Sequence, residues 1–300
     1  MKFHEGEIAV QTRAGGREMA AKIGGGIRAT IAPERCEFVA RQPLAVLGTI
    51  DQAGRPWVSV ITGEPGFMRV LEGDTMRIAA LPPVGDPLLG NLNGRSHVAM
   101  LIPEFAARRR LRLNGWGQIA DGAAIIVRPE QVYGNCPRYI QARVLVGRQA
   151  WSATGGSSAA VKCKQLSPEH QRLIARADTM FIATDHPRAG ADVSHRGGNP
   201  GFVRVIDAGR LAIPDYAGNR MFNTLGNIAA NPRAGLLFVD FESGRTLQLT
   251  GLAAIDWHPA RAAAIAGAER VVDFTLDEAI DNPHGFALRY TLRDYSEFNP

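Results

Sequence analysis

Residues 38–70 read FVARQPLAVLGTIDQAGRPWVSVITGEPGFMRV, and residues 173–205 read LIARADTMFIATDHPRAGADVSHRGGNPGFVRV. Laid together without a gap, they are identical at 11 of 33 positions, where unrelated segments would share about two. Pro65-Gly66-Phe67 faces Pro200-Gly201-Phe202, and Arg69-Val70 faces Arg204-Val205. One residue out of step the likeness resumes: Gly90-Asn91-Leu92 faces Gly226-Asn227-Ile228, and Leu111-Arg112-Leu113-Asn114-Gly115 faces Leu247-Gln248-Leu249-Thr250-Gly251. A period of about 135 residues is too long for a solenoid and describes two tandem copies of a whole domain. The length of 300 residues agrees, at roughly 150 per domain. The expected division is an N-terminal arm over 1–35, a first copy over 36–150, a linker over 151–169 and a second copy over 170–300. The small, polar run Ala153-Thr154-Gly155-Gly156-Ser157-Ser158 marks the linker.

Local signals inside each copy are mostly β. Leu44 to Ile50 and Thr179 to Thr184 are short apolar runs followed by turn residues. Phe202 to Ile206, then Asp207-Ala208-Gly209, then Arg210 to Ile213 reads as a hairpin. Ala234 to Val239 and Thr246 to Gly251 form a second pair around Ser243-Gly244. Helical spacing predicts helices over 168–177, over 219–230 (Met221, Leu225, Ile228, ending at Asn231-Pro232) and over 259–268. Many short strands with few helices give a mainly β fold, two small barrels in tandem.

Composition narrows the function classes. Lysine plus arginine minus acids is 34 − 29 = +5, with only four lysines, Lys2, Lys22, Lys162 and Lys164. So slight a surplus does not indicate nucleic acid, whereas arginine suits bidentate recognition of phosphate or carboxylate. No apolar run approaches the roughly 18 residues of a membrane span, and Met1 to Val10 carries no signal-peptide core. Cys36, Cys136 and Cys163 are odd in number, widely spaced and without a CxxC, which points to a reducing, cytoplasmic setting and to no metal centre. His4, Glu5 and Glu7 have ligand chemistry but no second cluster to complete a site.

The sharper chemical pattern lies in the second copy. Ile213-Pro214-Asp215-Tyr216-Ala217-Gly218-Asn219-Arg220 carries the chain from a strand into a helix start. Free N–H groups and a nearby guanidinium there suit a phosphate; an ordinary Asn cap with a solvated Arg is the plain alternative. The matching stretch of the first copy, Ala80 to Pro87, has no Asn-Arg pair.

Asp192-Val193-Ser194-His195-Arg196-Gly197-Gly198-Asn199-Pro200-Gly201-Phe202-Val203-Arg204-Val205 resembles the FMN-binding split β-barrels related to pyridoxamine 5′-phosphate oxidase. So do Ile213-Pro214-Asp215, Gly218-Asn219-Arg220 and Asn231 to Phe238. The resemblance implies two tandem FMN-binding split β-barrels, with FMN between them. Backbone around Phe202, Val203, Arg204 and Val205, preceded by Ser194, would line the flavin. The turn Ile213, Pro214, Asp215, Asn219 and Arg220, with Asn223 and Thr224, would hold the phosphate. Arg138 and Gln141 of Gly134-Asn135-Cys136-Pro137-Arg138-Tyr139-Ile140-Gln141 would reach across from the first copy, and His195 would transfer protons. Arg108 to Arg110 would be a solvated edge or receive an anion.

The family's oxidases carry Arg-Lys where this chain has Asn219-Arg220, so their reaction is not transferred. The chain more closely resembles flavoproteins whose paired barrels precede a flavin reductase and an iron–sulfur domain. It has no reductase motif and no clustered cysteines, so the electron donor would be external. The expectation is an FMN-dependent oxidoreductase, reduced by NAD(P)H or a partner reductase of ferredoxin-linked type and acting on a small molecule or oxygen, with homodimer pairing left open. A flavin or haem carrier or sensor, and a cofactor-free partner-binding subunit, are the alternatives.

Overall fold

The structure is a computed structural model that describes residues 3–134, 136–149 and 160–300. Asn135 and the expected linker run 153–158 lie outside the described residues. The first half supplies β1 (Leu44–Ile50), β2 (Pro56–Thr62), β3 (Met68–Val70), β4 (Met76–Ile78), β5 (Ser96–Glu104), β6 (Arg109–Ala120) and β7 (Ala124–Gly134). Between the halves run β8 (Ala142–Arg148) and β9 (Val161–Cys163). The second half supplies β10 (Thr179–His186), β11 (Gly190–Gly197), β12 (Arg204–Val205), β13 (Arg210–Tyr216), β14 (Arg233–Val239), β15 (Thr246–Asp256) and β16 (Ala268–Asn282). The first sheet runs β2-β1-β5-β6-β7-β4-β3 and the second β11-β10-β14-β15-β16-β13-β12, the same path strand for strand.

The correspondence extends to irregularities. The β6–β7 ladder slips between Asn114 and Gly115, and the β15–β16 ladder slips at the matching Thr250 and Gly251. Such bulges bend a strand hard, and a Cβ on either glycine would overlap a carbonyl of the facing strand, that of Arg128 or Thr275. Asn91 Nδ2 donates to Thr49 Oγ1 at 3.0 Å, and Asn227 Nδ2 donates to its counterpart Thr184 Oγ1 at 3.0 Å. The protein is mainly β, two split barrels in tandem.

Alternation along the strands fills three cores. One lies inside the first barrel, around Leu47, Met76, Met100 and Val127. Another lies inside the second, around Ile182, Leu236, Leu249 and Phe274. The third is the seam between the sheets, where Val46, Val58, Val60 and Leu101 meet Phe181, Ala183, Val193 and Leu237. Pairing across the seam is two-fold in pattern: β11 lies on β5 as β2 lies on β14. This seam sets the relative position of the two halves and therefore of any site between them.

Helices cover the ends. The first half has α3 (Pro33–Arg41) and α4 (Leu88–Asn91); the second has α5 (Pro168–Arg176), α6 (Asn223–Ala230) and α7 (Pro259–Ala263). The helix over 168–177 is found as α5, whereas α6 starts four residues later than the spacing suggests. Arg220 (φ 60°) and Phe222 (φ 58°) sit in the left-handed region, which a helix cannot include. The helix predicted over 259–268 stops at Ala263, and β16 begins at Ala268.

The N-terminal arm, unassigned from its sequence, forms α1 (Glu5–Arg13) and α2 (Arg17–Gly24). Helix α1 crosses α6 at a glycine pair: a Cβ on Gly6 would overlap the Gly226 carbonyl, and one on Gly226 would overlap the backbone of Glu7. At the other end β17 (Leu288–Asp294) pairs with β8. No described helix is long and apolar enough to cross a membrane.

Candidate functional site

A cleft opens between the halves where β6 meets the ends of β11 and β13. The first half contributes Arg110, Arg112, Cys136, Arg138 and Tyr139. The second contributes Ser194 to Gly197, Phe202, Pro214 to Tyr216 and residues 218–220 and 222–224. The cleft is open to solvent at its mouth. Gly197 permits the close approach of the first half's 136–140 loop, because a Cβ there would overlap the Tyr139 carbonyl oxygen. Tyr139 donates to the Ala217 carbonyl at 3.0 Å and packs on Tyr216, so one loop from each half closes the rim.

Ten of the residues expected at the site line this cleft: Arg138, Ser194, His195, Phe202, Pro214, Asp215, Asn219, Arg220, Asn223 and Thr224. The side chains of the others point away from it. Val203 and Ile213 point into the core of the second barrel, with Val205 packed against it. Arg204 is exposed and donates to the Ala264 carbonyl. Gln141 is fully buried away from the cleft and holds the C-terminal segment: its Oε1 accepts from Ser296 N at 2.8 Å and Asn299 Nδ2 at 3.1 Å, while its Nε2 donates to the carbonyls of Tyr139, Asp178 and Gly198.

Charge in the cleft is uneven. Arg112 pairs with Asp192, Arg196 with Asp215, and Arg220 with Glu269 through two bonds of 2.6 Å. Arg220 is held by Glu269, which also pairs with Arg270, and Arg270 shares Asp215 with Arg196, so three guanidiniums meet two carboxylates beside the cleft. Arg110, by contrast, has no acidic partner among the described residues. It donates to His195 Nδ1 at 3.0 Å and to the Cys136 carbonyl at 2.9 Å. Burial, with Arg112 and Arg196 close by, pushes its pKa down to about 9.

Arginine can only donate, so His195 Nδ1 is the acceptor and the proton sits on Nε2. That Nε2 is buried without a partner. Burial, then Arg110, Arg143 and Arg196, holds the imidazole well below its ordinary pKa. A neutral ring whose accepting nitrogen is occupied by a guanidinium is badly placed to take up protons. In this arrangement the His195 ring is held against Arg110 through Nδ1.

At the other end, α6 points its first turn at the cleft. Phe222 at the N-cap offers no side-chain acceptor, so the first N–H groups of α6 lack a cap. Asn219 Oδ1 accepts from Met221 N at 3.1 Å and braces the left-handed turn. Thr224 Oγ1 donates to Ser194 Oγ at 3.2 Å, and Ser194 Oγ to Asp192 Oδ2 at 3.3 Å, linking the α6 end to the buried Arg112–Asp192 pair.

The arm completes this end. Glu7, 5% exposed, accepts from Asn223 Nδ2 at 2.5 Å and from His4 N at 2.9 Å. Burial outweighs these bonds and pushes its pKa up to about 7. Between about pH 4.5 and 7 the folded chain therefore keeps a proton that the unfolded chain has released. The contribution of Glu7 is fully present below about pH 4.5 and is lost as pH rises through 7, a total on the order of 3 kcal/mol. Glu7→Gln should flatten the fall in urea-unfolding free energy between pH 5 and 7.5; an unchanged slope would assign that fall to other groups, such as Asp86, which burial pushes up to about 6.

The counterpart position in the first half is closed. Asp86 accepts from Ser59 Oγ at 2.6 Å and from Leu88 N at the start of α4, and Gln248 of the second half donates to it at 3.0 Å. Gln248 matches Arg112, and Ser59 matches Ser194. A carboxylate from the chain itself stands where the second half leaves its helix uncapped.

Sequence reasoning named Glu7 only as a ligand-type residue and Asp192 only within the family-like run, and gave Arg112 no role in the site. Arg110 and Arg112 share one face of β6 at a spacing of two, which is a usable signal. His4, Glu5 and His186 bring three ligand-type atoms within 4.8 Å. Yet both Nδ1 atoms accept backbone N–H groups, and the Nε2 atoms face Asn227 Oδ1 and Glu5 Oε1.

Residues 166–283 match the family model described as pyridoxamine 5′-phosphate oxidase. Among solved structures, HupZ of Group A Streptococcus is 15% identical, with 41% of this chain and 98% of that one covered at a TM-score of 0.34. A putative pyridoxamine 5′-phosphate oxidase from Lactobacillus delbrueckii is 16% identical (40% and 97% covered, TM-score 0.34). A protein related to general stress protein 26, of the pyridoxinephosphate oxidase family, from Clostridium acetobutylicum is 12% identical (41% and 92%, TM-score 0.30). No curated protein matches the chain. The chain carries a pyridoxamine 5′-phosphate oxidase-like split barrel, and its first half repeats the same strand order.

Proposed function

We propose that the cleft binds one FMN per chain and that the protein is a flavin-dependent oxidoreductase. The observation that carries this reading is the pairing, in one cleft walled by both halves, of a guanidinium without an acid, Arg110, and a helix end without a cap, α6. Both call for an anionic, acceptor-rich ligand, and the buried, unpartnered Arg112 Nε and His195 Nε2 on the same walls agree. Asn219, Asn223, Thr224 and the α6 N–H groups would hold the phosphate. Arg110 and Arg138 would face the rest of the cofactor, between Phe202, Tyr139 and Tyr216.

The flavin, when bound, supplies the exchange of one or two electrons with a donor and an acceptor. The protein's part is to bind, orient and exclude water: the Tyr139–Ala217 bond closes the rim, and His195 fixes Arg110. The donor would be NAD(P)H or a partner reductase, and the acceptor a small molecule or oxygen. The duplicated halves, with boundaries near 36–150 and 170–300, would do in one chain what two subunits do in simpler relatives. Closure of the first-half position by Asp86 supports a single site.

The phosphate end is testable by charge. Asn219→Asp keeps the acceptor for Met221 N and adds one negative charge. It should weaken FMN at least tenfold while leaving riboflavin, which lacks the phosphate, within twofold. Equal losses for both, read by fluorescence titration, would remove the phosphate from this end.

A further inference from the structure

We propose a second ligand site: the groove between the N-terminal helix α1 and the start of β11 binds a primary alkylammonium group. The inference does not depend on the flavin reading. The groove measures about 990 Å³ to its open mouth and shares only Asn223 with the cleft. Its wall is the buried Arg112–Asp192 pair, with Arg112 lining the cleft and Asp192 lining the groove.

Two buried acceptors are among the residues that line it. Asn114, 9% exposed, directs Nδ2 to Gln131 Oε1 at 3.3 Å and to Asp192 Oδ1 at 3.4 Å. A carboxylate only accepts, so the amide cannot be turned over, and Asn114 Oδ1 is left buried without a partner. An orphaned acceptor of this kind costs free energy until a donor arrives. Glu7, which lines the same groove, is 5% exposed and lacks a cationic partner strong enough to offset its burial.

The other charges around the groove do not fill that need. His4 Nε2 stands 3.5 Å from Glu7 Oε2, but burial and His186 lower the pKa of His4, and its Nε2 also bonds Asn227 Oδ1. Arg188 is engaged by Glu5 at 2.6 Å. A ligand must therefore bring N–H donors and positive charge. An ammonium has three donors and no acceptor, which suits a carboxylate and a lone amide oxygen. Phe3 and Ile8 line the same groove and offer an apolar surface to the stem, much as a lysine stem lies on apolar surface.

The test uses the whole chain and two probes of matched shape, butylamine and 1-butanol, titrated by calorimetry. Butylamine should bind saturably at one per chain, and butanol at least tenfold more weakly. Glu7→Gln keeps the size and an oxygen for Asn223, and should weaken butylamine at least tenfold. Asn114→Leu should do the same, whereas Glu34→Gln, on an exposed surface away from the groove, should not. If butanol binds as well as butylamine, or if Glu7→Gln leaves butylamine binding intact while circular dichroism shows a folded chain, the proposal is overturned. FMN binding measured on the same samples reads the cleft separately, so failure of one site does not count against the other.

Discussion

Arg110→Met should weaken FMN binding ten- to a hundredfold while changing folding stability by less than about 1 kcal/mol. The first figure follows from charge-assisted hydrogen bonds, worth about 1.5–3 kcal/mol each. The second follows from what Arg110 does without a ligand. Its guanidinium sits among Arg112 and Arg196 and faces no acid, so removing it relieves a desolvated charge. The loss of the bond to His195 Nδ1 offsets that gain. Equilibrium unfolding and FMN titration of the same variant separate the two effects. A large loss of stability with unchanged affinity would make Arg110 a structural residue.

The opposite behaviour is expected one turn of the pleat away. Arg112 and Asp192 are both almost fully buried and pair across the two halves, with Asn114 and Tyr133 also directed at Asp192. Breaking a buried pair by removing one member strands the other charge, at about 3–5 kcal/mol. Asp192→Asn should therefore lower the unfolding free energy by that amount, and Arg112→Met likewise. Replacing both at once, as Arg112→Met with Asp192→Leu, should recover most of the loss, because no charge is left unpaired. Additive losses in the double variant would show that the two side chains act independently.

The barrels were legible because the repeat is carried by strand residues. Pro-Gly-Phe and Arg-Val recur at the same place in each copy, and all seven strands of one sheet find their counterparts in the other. The arm was not legible for a physical reason. Helix α1 docks through Gly6, Glu7 and Gln11, by a backbone crossing and polar bonds, so it shows no apolar stripe. The turn before α6 was only half readable. Asn219, Asn223 and Thr224 line the cleft as the motif suggests. The pairing of Arg220 with Glu269, 49 residues away, leaves no local trace. Gln141 looked like a cofactor contact because it follows a loop that does reach the cleft; its burial under the C-terminal segment appears only in three dimensions.

The proposed stoichiometry is one flavin per chain, in a cleft that both halves build. Titrating cofactor-free protein with FMN, and following quenching of flavin fluorescence to its endpoint, tests it most directly. One equivalent per chain, with the affinity at least tenfold weaker in Asn219→Asp and Arg110→Met alike, is the expected result. Two equivalents would mean that the Asp86 position also binds, and no saturable uptake would contradict the account at its root.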